Sequence, residues 1–313
     1  MNHSPILVIG SSNTDMVIKA DHLPLPGETL IGGDFFMNAG GKGANQAVAA
    51  ARAGGLVTFV AKVGSDIFGE EAVQLFKKEG INTSYVLTDP HRPSGVALIT
   101  VDKKGENTIV VASGANANLT SQEVDSIRTI IEQSDIILMQ LEIPIDAVAH
   151  VAKLAKSKNR MVVLNPAPAC PLPHELFTNI SIITPNETEA EILTGIKVND
   201  IDGAKQAAEI LARKGIGTTI ITLGAKGALV LHESVFTHIP TIPVNAVDTT
   251  AAGDVFNGAL VAALSDGKSI LDAVRFACGA AAISVTRLGA QASAPYRDEI
   301  NAILVKKTKI QSR

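Results

Sequence analysis

From about residue 119 onward the chain alternates short β-branched segments with helical patterns, which restricts the fold more than any other sequence feature. "DIILMQLE" and "RMVVLNP" have the apolar character of buried strands. Between them "PIDAVAHVAKLAKSK" spaces its apolar residues three and four apart, as a helix does. The pattern repeats with strands "ISIITPNE" and "GTTIITLG" and helices "TEAEILTG" and "DGAKQAAEILARKG". Such repeats form parallel sheets through right-handed crossovers, so the sequence predicts an α/β layer architecture.

Two stretches in the first third of the chain have an antiparallel pattern instead. "GVALITVDKKGENTIVVASG" joins two β-rich runs through a turn at Gly105, and "GETLIGGDFF" and "TDMVIKA" could pair with it. Gly and Pro at the junctions "LPLPGE" and "HRPSG" favour a small separate sheet, hinged as a lid. The alternative is a rigid extension of the main sheet. We predict one domain over residues 1–313, with lid segments at about 14–38 and 94–115.

The composition excludes several classes of protein. With 46% hydrophobic and 19% charged residues and a net charge of −4, the 313-residue chain has the profile of a soluble protein that binds no nucleic acid. Two cysteines, Cys170 and Cys278, are too few for a disulfide framework, and neither a Cys-x-x-Cys nor a His-Glu-x-x-His motif occurs. Without a signal-like N-terminus or 18 consecutive apolar residues, we expect a cytoplasmic protein with no membrane segment.

The segment "VDTTAAGD", residues 247–254, places two carboxylates around small residues, directly before the apolar helical pattern "VFNGALVAAL". The first N–H groups of a helix have no partner within it, so a helix starting here offers a binding site for a phosphate. Asp254, on the first helical turn, could then act as a general base. The alternative is structural, because an acidic residue at a helix N-terminus also stabilises the helix.

The segment "NAGGKGANQAVAAARAG", residues 38–54, is a glycine-rich turn followed by an Ala-rich helix. It is not a P-loop, because Phe36 and Gly43 stand where that motif needs Gly and Ser or Thr, and it lacks the third glycine of a dinucleotide-binding motif. Its open backbone, beside Lys42 and Asn45, suits the hydroxyl groups of a small polar ligand. Alternatively, the glycines only allow helix and strand to pack closely.

In "TPNETEAE", Asn186 follows a predicted strand, and Glu189 lies three residues on, on the same face of the next helix. A carboxylate there could orient water bound to Mg²⁺, which contacts few protein groups directly. The alternative is a capping box formed by the same two residues.

The segment "TLGAKG", residues 222–227, joins two β-rich runs through a glycine-rich turn. Its backbone could cover a nucleotide phosphate. Any tight turn between two strands would have a similar sequence, so the pattern alone leaves both interpretations open.

The order of these motifs is more informative than any one of them. "NTD", "GGKGAN", "QLE", "NPAP", "TPNETEAE", "TLGAKG", "DTTAAGD" and "RLGAQAS" follow one another as in the ribokinase/PfkB family of carbohydrate kinases, which the chain closely resembles from about residue 5 to residue 303. The forms "NTD", "GGKGANQAVAAAR" and "AVDTTAAGD" are most similar to those of the family's ribose kinases. The resemblance implies a three-layer α/β/α sandwich with a mainly parallel central sheet and a small β-sheet lid.

The resemblance also implies a reaction and a set of site residues. The reaction is transfer of the γ-phosphoryl of MgATP to the 5-hydroxyl of D-ribose, with Asp254 as general base and the backbone of Ala251, Ala252 and Gly253 as anion hole. The implied sugar-binding residues are Asn13, Asp15, Gly41, Lys42, Asn45, Glu142 and Asp254. The implied ATP-binding residues are Asn186, Thr222, Leu223, Gly224, Ala225, Lys226, Gly227, Gly253 and Cys278.

Two metal ions and a dimer follow from the same resemblance. Glu189 corresponds to a residue that holds Mg²⁺ through water. A site for an activating K⁺ ion, formed mostly by backbone oxygens, corresponds to Asp248, Thr250, Ser284, Arg287, Gly289 and Ser293. Relatives form homodimers through the lid, so the apolar faces of "GVALITV" and "NTIVVAS" are expected to bury against a second subunit.

Two residues depart from the family pattern. Many members have Gly where this chain has Ala251, whose methyl group narrows the conformational freedom of the loop. Cys278 lies near the expected adenine position, where relatives often have His or Asn. A thiol is a weak hydrogen-bonding group, so the base preference stays open. Two alternative functions also stay open: a kinase of the same fold for deoxyribose, fructose or a nucleoside, and a non-catalytic sugar-binding homologue.

Overall fold

The computed structural model describes residues 4–311. The strands across this range are β1 (Ile6–Ile9), β2 (Asn13–Lys19), β3 (Asp34–Gly40), β4 (Val57–Val60), β5 (Lys62–Gly64), β6 (Leu87–Asp89), β7 (Gly95–Val101), β8 (Asn107–Ala112), β9 (Ile136–Met139), β10 (Met161–Leu164), β11 (Ile182–Ile183), β12 (Thr218–Thr222), β13 (Ala228–His232) and β14 (Val235–Ile239). The α-helices are α1 (Lys42–Arg52), α2 (Ile67–Lys78), α3 (Ser121–Ser126), α4 (Arg128–Gln133), α5 (Ile145–Ser157), α6 (His174–Phe177), α7 (Glu187–Thr194), α8 (Ile201–Arg213), α9 (Ala252–Ser265), α10 (Ile270–Ser284) and α11 (Arg297–Gln311). None of these helices has the length and apolar character needed to cross a membrane.

The main sheet has the strand order β14-β13-β12-β11-β10-β9-β1-β4. Strands β12, β11, β10, β9, β1 and β4 are parallel to one another, whereas β13 and β14 add an antiparallel edge next to β12. Each segment predicted as a strand in the second half of the chain contains one. The strand in "ISIITPNE" is reduced to Ile182–Ile183, because Pro185 and the helix that begins at Glu187 follow at once. The predicted mainly parallel sheet is confirmed.

Helices cover both faces of the main sheet, as the alternation of side chains along β1 shows. Ile6 and Val8 pack into a core cluster with residues of α1, α9 and α10. Leu7 and Ile9 belong to a second cluster, on the face covered by α3, α4 and α5. A strand that is apolar at every position is typical of a sheet buried on both sides. The three-layer sandwich expected from the family resemblance is therefore confirmed.

A separate four-stranded sheet, with the order β3-β2-β7-β8, is formed by the segments with the antiparallel pattern. The β2–β3 and β7–β8 pairs are antiparallel as predicted, but β2 and β7 run parallel to each other. Only the last part of "GETLIGGDFF" is a strand, starting at Asp34, because Gly32 and Gly33 have positive φ angles that a strand does not accept. The small sheet is thus separate from the main sheet.

The chain direction places a topological switch point between β1 and β9. From β1 the chain continues to β4 on one side, and the later strands β9 to β12 extend on the other. Ligands of open α/β sheets bind beyond the carboxyl ends of the strands at such a point. The residues that follow these ends include Ser11, Glu142, Asn165 and Thr184. A ligand-binding site is therefore expected at this edge of the main sheet.

Helices α1 and α9 cross closely because Gly258 has no side chain. A methyl group on Gly258 would lie 2.5 Å from the carbonyl oxygen of Gln46 and 2.6 Å from Cβ of Ala49. Gly258→Ala is therefore expected to lower the free energy of unfolding by about 2 kcal/mol, in spite of the better helix propensity of Ala. Chemical denaturation measures this difference.

The matched control is Gly279→Ala in α10, where the added methyl would lie 3.3 Å from the flexible end of Leu304. This variant should stay within about 1 kcal/mol of the wild type. An equal loss of stability in both variants would contradict the interpretation that contact between α1 and α9 requires Gly258.

Candidate active site

The start of α1 is held by a carboxylate from another part of the chain. Gly41 precedes the helix with φ 89° and has no side chain to cap it. Oε2 of Glu142 instead accepts the N–H of Lys42 at 3.0 Å and the hydroxyl of Ser11 at 2.5 Å. The Ser11 oxygen in turn accepts the N–H of Gly43 at 3.3 Å. Glu142 thus caps α1 and joins the ends of β1 and β9 at the switch point.

Asp254 is buried between α1 and α9, and both of its carboxylate oxygens accept hydrogen bonds from amides. Nδ2 of Asn45 donates to Oδ2 at 3.0 Å, and Nε2 of Gln46 donates to Oδ1 at 2.9 Å. Burial raises the pKa of Asp254, whereas the nearby Lys42 ammonium and the two amide donors lower it. The carboxylate therefore combines a fixed orientation with a proton affinity above the ordinary one.

A cavity of about 170 Å³ lies beside Asp254, at the carboxyl ends of β10, β11 and β12. It brings together residues predicted for three roles: the proposed base, the anion hole and the Mg²⁺ and ATP contacts. Its lining is formed by Lys42, Asn165, Ala167, Thr184, Asn186, Glu189, Thr222, Thr249, Ala251, Ala252, Gly253, Asp254 and Asn257. The ammonium group of Lys42 and the carboxylates of Glu189 and Asp254 therefore line the same small cavity, and the first residues of α9 form part of its wall.

The N-terminus of α9 offers unpaired N–H groups to this cavity. Among the described residues, the N–H groups of Ala251, Gly253 and Asp254 have no acceptor, whereas Ala252 donates to the carbonyl of Thr249 at 3.2 Å. A Cβ atom on Gly253 would meet no atom within 4 Å, so the backbone is open there. An anion can approach these groups closely. Of the predicted anion-hole residues, Ala252 is therefore the one whose N–H is occupied.

A second cavity of about 350 Å³ lies on the side of the small sheet, and Asn13 and Glu142 line it. Oδ1 of Asn13 accepts a hydrogen bond of 2.8 Å from Asn116, so this predicted sugar-binding group already has a protein partner. Asp15 lies on β2 beside Gly40, where any side chain would collide with the Asp15 carboxylate. Burial, with repulsion from neighbouring carboxylates, raises the pKa of Asp15 to about 6.

Lys42 is the cation among these acidic groups. Its burial acts to lower the pKa of the ammonium group, but the surrounding carboxylates raise the pKa above its ordinary value, so Lys42 stays charged. The carboxylates that act on it are Asp254, Glu142, Glu189 and Asp15. Because four acidic groups surround one ammonium, an anionic ligand here needs additional positive charge.

Asn186 and Glu189 form the capping box that the structural alternative predicted. Oδ1 of Asn186 accepts the N–H of Glu189, and Oε2 of Glu189 accepts the N–H of Asn186, both at 2.8 Å. Both residues also line the 170 Å³ cavity. The pKa of Glu189 is raised by burial. The cap therefore aims the carboxylate at the cavity, and the two interpretations are compatible.

The segment Thr222–Gly227 forms a tight turn between β12 and β13, with positive φ at Gly224 and Gly227. Thr222 lines the 170 Å³ cavity, whereas Nζ of Lys226 donates to the carbonyl of Asn199 at 3.3 Å. The other residues of the predicted nucleotide segment are Leu223, Gly224, Ala225 and Gly227. Cys278 lines a different cavity of about 630 Å³, with Ile239 and Phe276. Of the predicted ATP contacts, Asn186, Thr222 and Gly253 therefore line the 170 Å³ cavity, and Cys278 lines the 630 Å³ cavity.

The residues predicted to hold K⁺ converge on two adjacent segments. Oδ1 of Asp248 accepts the N–H of Thr250 and Oδ2 accepts the N–H of Gly289, both at 2.9 Å. Burial of Asp248 acts to raise its pKa, but these hydrogen bonds lower it overall. The side chain of Arg287 pairs with Glu299. Of the remaining two residues, both buried, Ser284 ends α10 and Ser293 lies four residues after Gly289.

Several backbone oxygens of these segments are free to bind a cation. Among the described residues, no N–H donates to the carbonyls of Thr250, Arg287, Gly289 or Ser293, whereas the carbonyl of Ser284 accepts the N–H of Arg287 at 2.9 Å. Carbonyl oxygens without donors are the ligands that a monovalent cation accepts. Four of the six predicted positions therefore have a carbonyl oxygen that fits a K⁺ site, whereas the carbonyl of Ser284 is occupied.

Sequence reasoning missed four buried polar residues near Asp254: Gln46, Asn165, Thr184 and Asn257. Asn165 and Thr184 are the first residues after β10 and β11, and Asn257 lies one helical turn after Asp254. The motif "NPAP" begins at Asn165 and "TPNETEAE" begins at Thr184. Their position at the ends of predicted strands was therefore a signal in the sequence that these two residues belong to the site. Gln46 gave no such signal, because nothing near it in sequence indicates its partners.

The fold is an α/β sandwich with a polar cavity at the carboxyl ends of its strands, bounded by the start of α9. The family model for pfkB family carbohydrate kinases matches residues 4–297. The ribokinase of Haemophilus influenzae is 50% identical over 294 residues, covering 94% of this chain and 96% of that protein. The deoxyribokinase of Salmonella typhi is 39% identical over 300 residues, covering 96% of this chain and 98% of that protein. The structure of Arabidopsis thaliana ribokinase complexed with ribose and ATP has a TM-score of 0.92 at 33% identity, covering 96% of this chain and 99% of that one. The chain therefore belongs to the pfkB family of carbohydrate kinases.

The raised pKa of Asp15 predicts a gain in stability when its charge is removed. A shift from 3.8 to about 6 means that the folded protein binds a proton more readily than the unfolded chain between these pH values. Stability therefore falls as pH rises through this window, by up to about 3 kcal/mol. Asp15→Asn should raise the free energy of unfolding by about 1–3 kcal/mol at pH 7 and have little effect at pH 4, as measured by urea denaturation.

The control is Asp21→Asn, which removes an exposed carboxylate just beyond the same strand. Because an exposed ion pair contributes little, it should leave stability at pH 7 close to that of the wild type. If Asp15→Asn gains no stability at pH 7 relative to pH 4, burial and the neighbouring carboxylates do not raise the pKa of Asp15.

Proposed function

We propose that the protein transfers the γ-phosphoryl of MgATP to the 5-hydroxyl of D-ribose, giving D-ribose 5-phosphate and ADP. One observation carries the proposal: a buried carboxylate, Asp254, lies at the open N-terminus of α9, in a cavity that also contains Lys42. The relatives named ribokinase, and the relative solved with ribose and ATP, support this choice of substrates. The expected cytoplasmic location is part of the same proposal.

Asp254 accepts the proton in this mechanism. The 5-hydroxyl donates a hydrogen bond to the carboxylate, and the proton moves to Asp254 as the hydroxyl oxygen forms its bond to the γ-phosphorus and the bond to the ADP oxygen breaks. A proton affinity above that of an ordinary Asp favours this step, while Lys42, Asn45 and Gln46 stabilise the ionised form of the carboxylate. The orientation of the base is fixed before substrate arrives.

The backbone stabilises the charge that develops on the transferred group. The free N–H groups of Ala251, Gly253 and Asp254 face an open space at the start of α9. Phosphoryl transfer needs mainly positioning and charge stabilisation, and N–H groups fixed at a helix N-terminus provide both. Lys42, which also lines the cavity, adds the positive charge of a side chain.

Glu189 is the residue we propose to hold Mg²⁺ through water. Its Oε2 is engaged in the capping box and its Oε1 makes no hydrogen bond among the described residues, which fits a carboxylate that binds a hydrated cation. When bound, Mg²⁺ supplies the positive charge that neutralises the triphosphate. The excess of acidic groups around Lys42 makes such a cation necessary.

The segments Asp248–Thr250 and Arg287–Ser293 are those we propose to hold K⁺. Thr250 directly precedes Ala251, so a cation bound there would fix the backbone whose N–H groups form the anion hole. This proximity gives the cation its proposed activating role.

The small sheet is proposed as a lid and as the dimer contact. In the strand register, Met37, Leu98 and Val110 lie on one face, and Phe35 and Ile18 extend it. All five are exposed, from 45% for Ile18 to 68% for Val110. Such a contiguous apolar face suits burial against a second copy of the chain, and closure of the lid would exclude water from the cavity.

The nearest alternative substrate is 2-deoxy-D-ribose, favoured by the 39% identity to a deoxyribokinase. We expect D-ribose to be turned over at least tenfold faster, in kcat/KM, than 2-deoxy-D-ribose, D-fructose or adenosine in a coupled assay with ATP. The reason is that buried polar groups left unpaired by a missing hydroxyl cost about 1–3 kcal/mol. Equal turnover of 2-deoxy-D-ribose would contradict this assignment.

Asp254→Asn is the control for catalysis in the same assay. It should lower kcat by about 10²- to 10⁴-fold, because the general base is lost while the shape of the side chain is kept. Binding of D-ribose, measured by calorimetry, should persist. A variant with full activity would show that Asp254 is not the base, and a wild type that binds D-ribose without phosphorylating it would favour the non-catalytic alternative.

Replacing K⁺ by Na⁺ is expected to lower kcat/KM by about tenfold, equivalent to about 1.4 kcal/mol of transition-state stabilisation. Asp248→Ala removes the hydrogen bond from Gly289 that joins the two segments and the one from Thr250 within the first segment, so the ratio of the rates in K⁺ and Na⁺ should approach one. Asp200→Ala removes an Asp that bonds a backbone N–H at α8, far in sequence from the cation segments, and should keep the wild-type ratio. Equal rates in both salts for the wild type would exclude K⁺ activation.

A further inference from the structure

Gln46 is completely buried, and its side-chain amide is fully engaged by other side chains. Nε2 donates to Oδ1 of Asp254 at 2.9 Å and to Oδ1 of Asn165 at 3.0 Å. Oε1 accepts a hydrogen bond of 2.5 Å from Nε2 of Gln140. Both N–H bonds of the amide are therefore used, and one of them is directed at the proposed base.

The orientation of this amide is set by a backbone carbonyl. Nδ2 of Asn165 donates at 3.0 Å to the main-chain oxygen of Thr184, which can only accept. Oδ1 of Asn165 must therefore face Gln46, and Gln46 must present its nitrogen there. A reversed Gln46 amide would place its oxygen against the oxygens of Asn165 and Asp254. The chain of hydrogen bonds thus ensures that Asp254 faces a donor at all times.

The charges around Asp254 make this donor important. Lys42 on α1 favours the ionised carboxylate. Three acidic groups on other elements oppose it: Asp15 on β2, Glu142 after β9 and Glu189 on α7. The two amides beside Asp254 stabilise its charge without adding another, and of these Asn45 is already predicted to bind sugar.

We propose that Gln46 is a positioning residue for the general base, which holds the Asp254 carboxylate in one orientation and stabilises its charged form by a hydrogen bond. The inference rests on the proposed function, in which Asp254 accepts the proton of the sugar hydroxyl. Gln46 lines neither the 170 Å³ nor the 350 Å³ cavity, so it acts through Asp254 and not on the substrates.

The first test is Gln46→Met, which keeps the size of the side chain and removes the donor. Loss of a hydrogen bond to a charged group is expected to lower kcat for D-ribose by about ten- to a hundredfold, while KM for D-ribose and for ATP stays within about threefold. The acid limb of the kcat profile should move up by about one pH unit, because Asp254 then needs a higher pH to ionise. Gln46→Glu should move it further, since two adjacent carboxylates share a proton.

Gln140→Met is the matched control. It removes a buried partner of Gln46 and leaves both Nε2 hydrogen bonds in place, so the acid limb should stay at its wild-type position. If Gln46→Met and Gln140→Met lower kcat in parallel and neither moves the acid limb, Gln46 is only a packing residue and the proposal is overturned.

A second measurement decides the proposal without any sugar. Gln46→Met removes a donor that favours the ionised form of Asp254, so its loss of stability should be larger at high pH, where Asp254 is ionised, than at low pH, where it is protonated. In an Asp254→Asn background this difference should vanish. The same loss at both pH values in both backgrounds would overturn the proposal. A wild type that fails to phosphorylate D-ribose would instead overturn the proposed function and leave this measurement valid.

Discussion

The burial of Asp254 is the constraint on which the rest of the site depends. Removing a carboxylate from water costs several kcal/mol unless other groups satisfy it. Among the described residues Asp254 forms no direct ion pair, and the amides of Asn45 and Gln46 satisfy it instead. Both amides lie on α1, so α1 must lie close against α9. Gly258 allows this approach, and the crossing of the two helices therefore follows from the chemistry of the carboxylate.

The polar groups at the carboxyl ends of the strands satisfy one another before any ligand binds. Glu142 caps α1 through Lys42, and Asn13 accepts from Asn116. Groups held in this way lose little further freedom when a substrate arrives, which is the physical meaning of a preorganised site. Asp15 is the exception, since none of the described residues donates a hydrogen bond to its carboxylate, and burial raises its pKa to about 6. We infer that a sugar hydroxyl is the missing partner.

The local patterns of the sequence predict the fold but do not predict every contact of the site. The strand and helix repeats predict the main sheet, because each element carries its own periodicity. The parallel pairing of β2 with β7 could not be read in the same way, since no local pattern relates segments that far apart. Gln46 is a stronger case: its partners Asn165 and Asp254 lie 119 and 208 residues away. Only the three-dimensional structure shows why a glutamine follows Asn45.

The start of α9 shows what an anion site costs in stability. Ala251 precedes the helix with φ 58°, a left-handed conformation that costs a residue other than glycine about 1 kcal/mol, and it has no side-chain oxygen to cap the helix. A Ser or Asp at this position would add about 1 kcal/mol by capping. Its oxygen would also occupy the N–H groups that face the cavity. We infer that these N–H groups are left open for an anion, and that the capping and catalytic interpretations of this segment compete for the same donors.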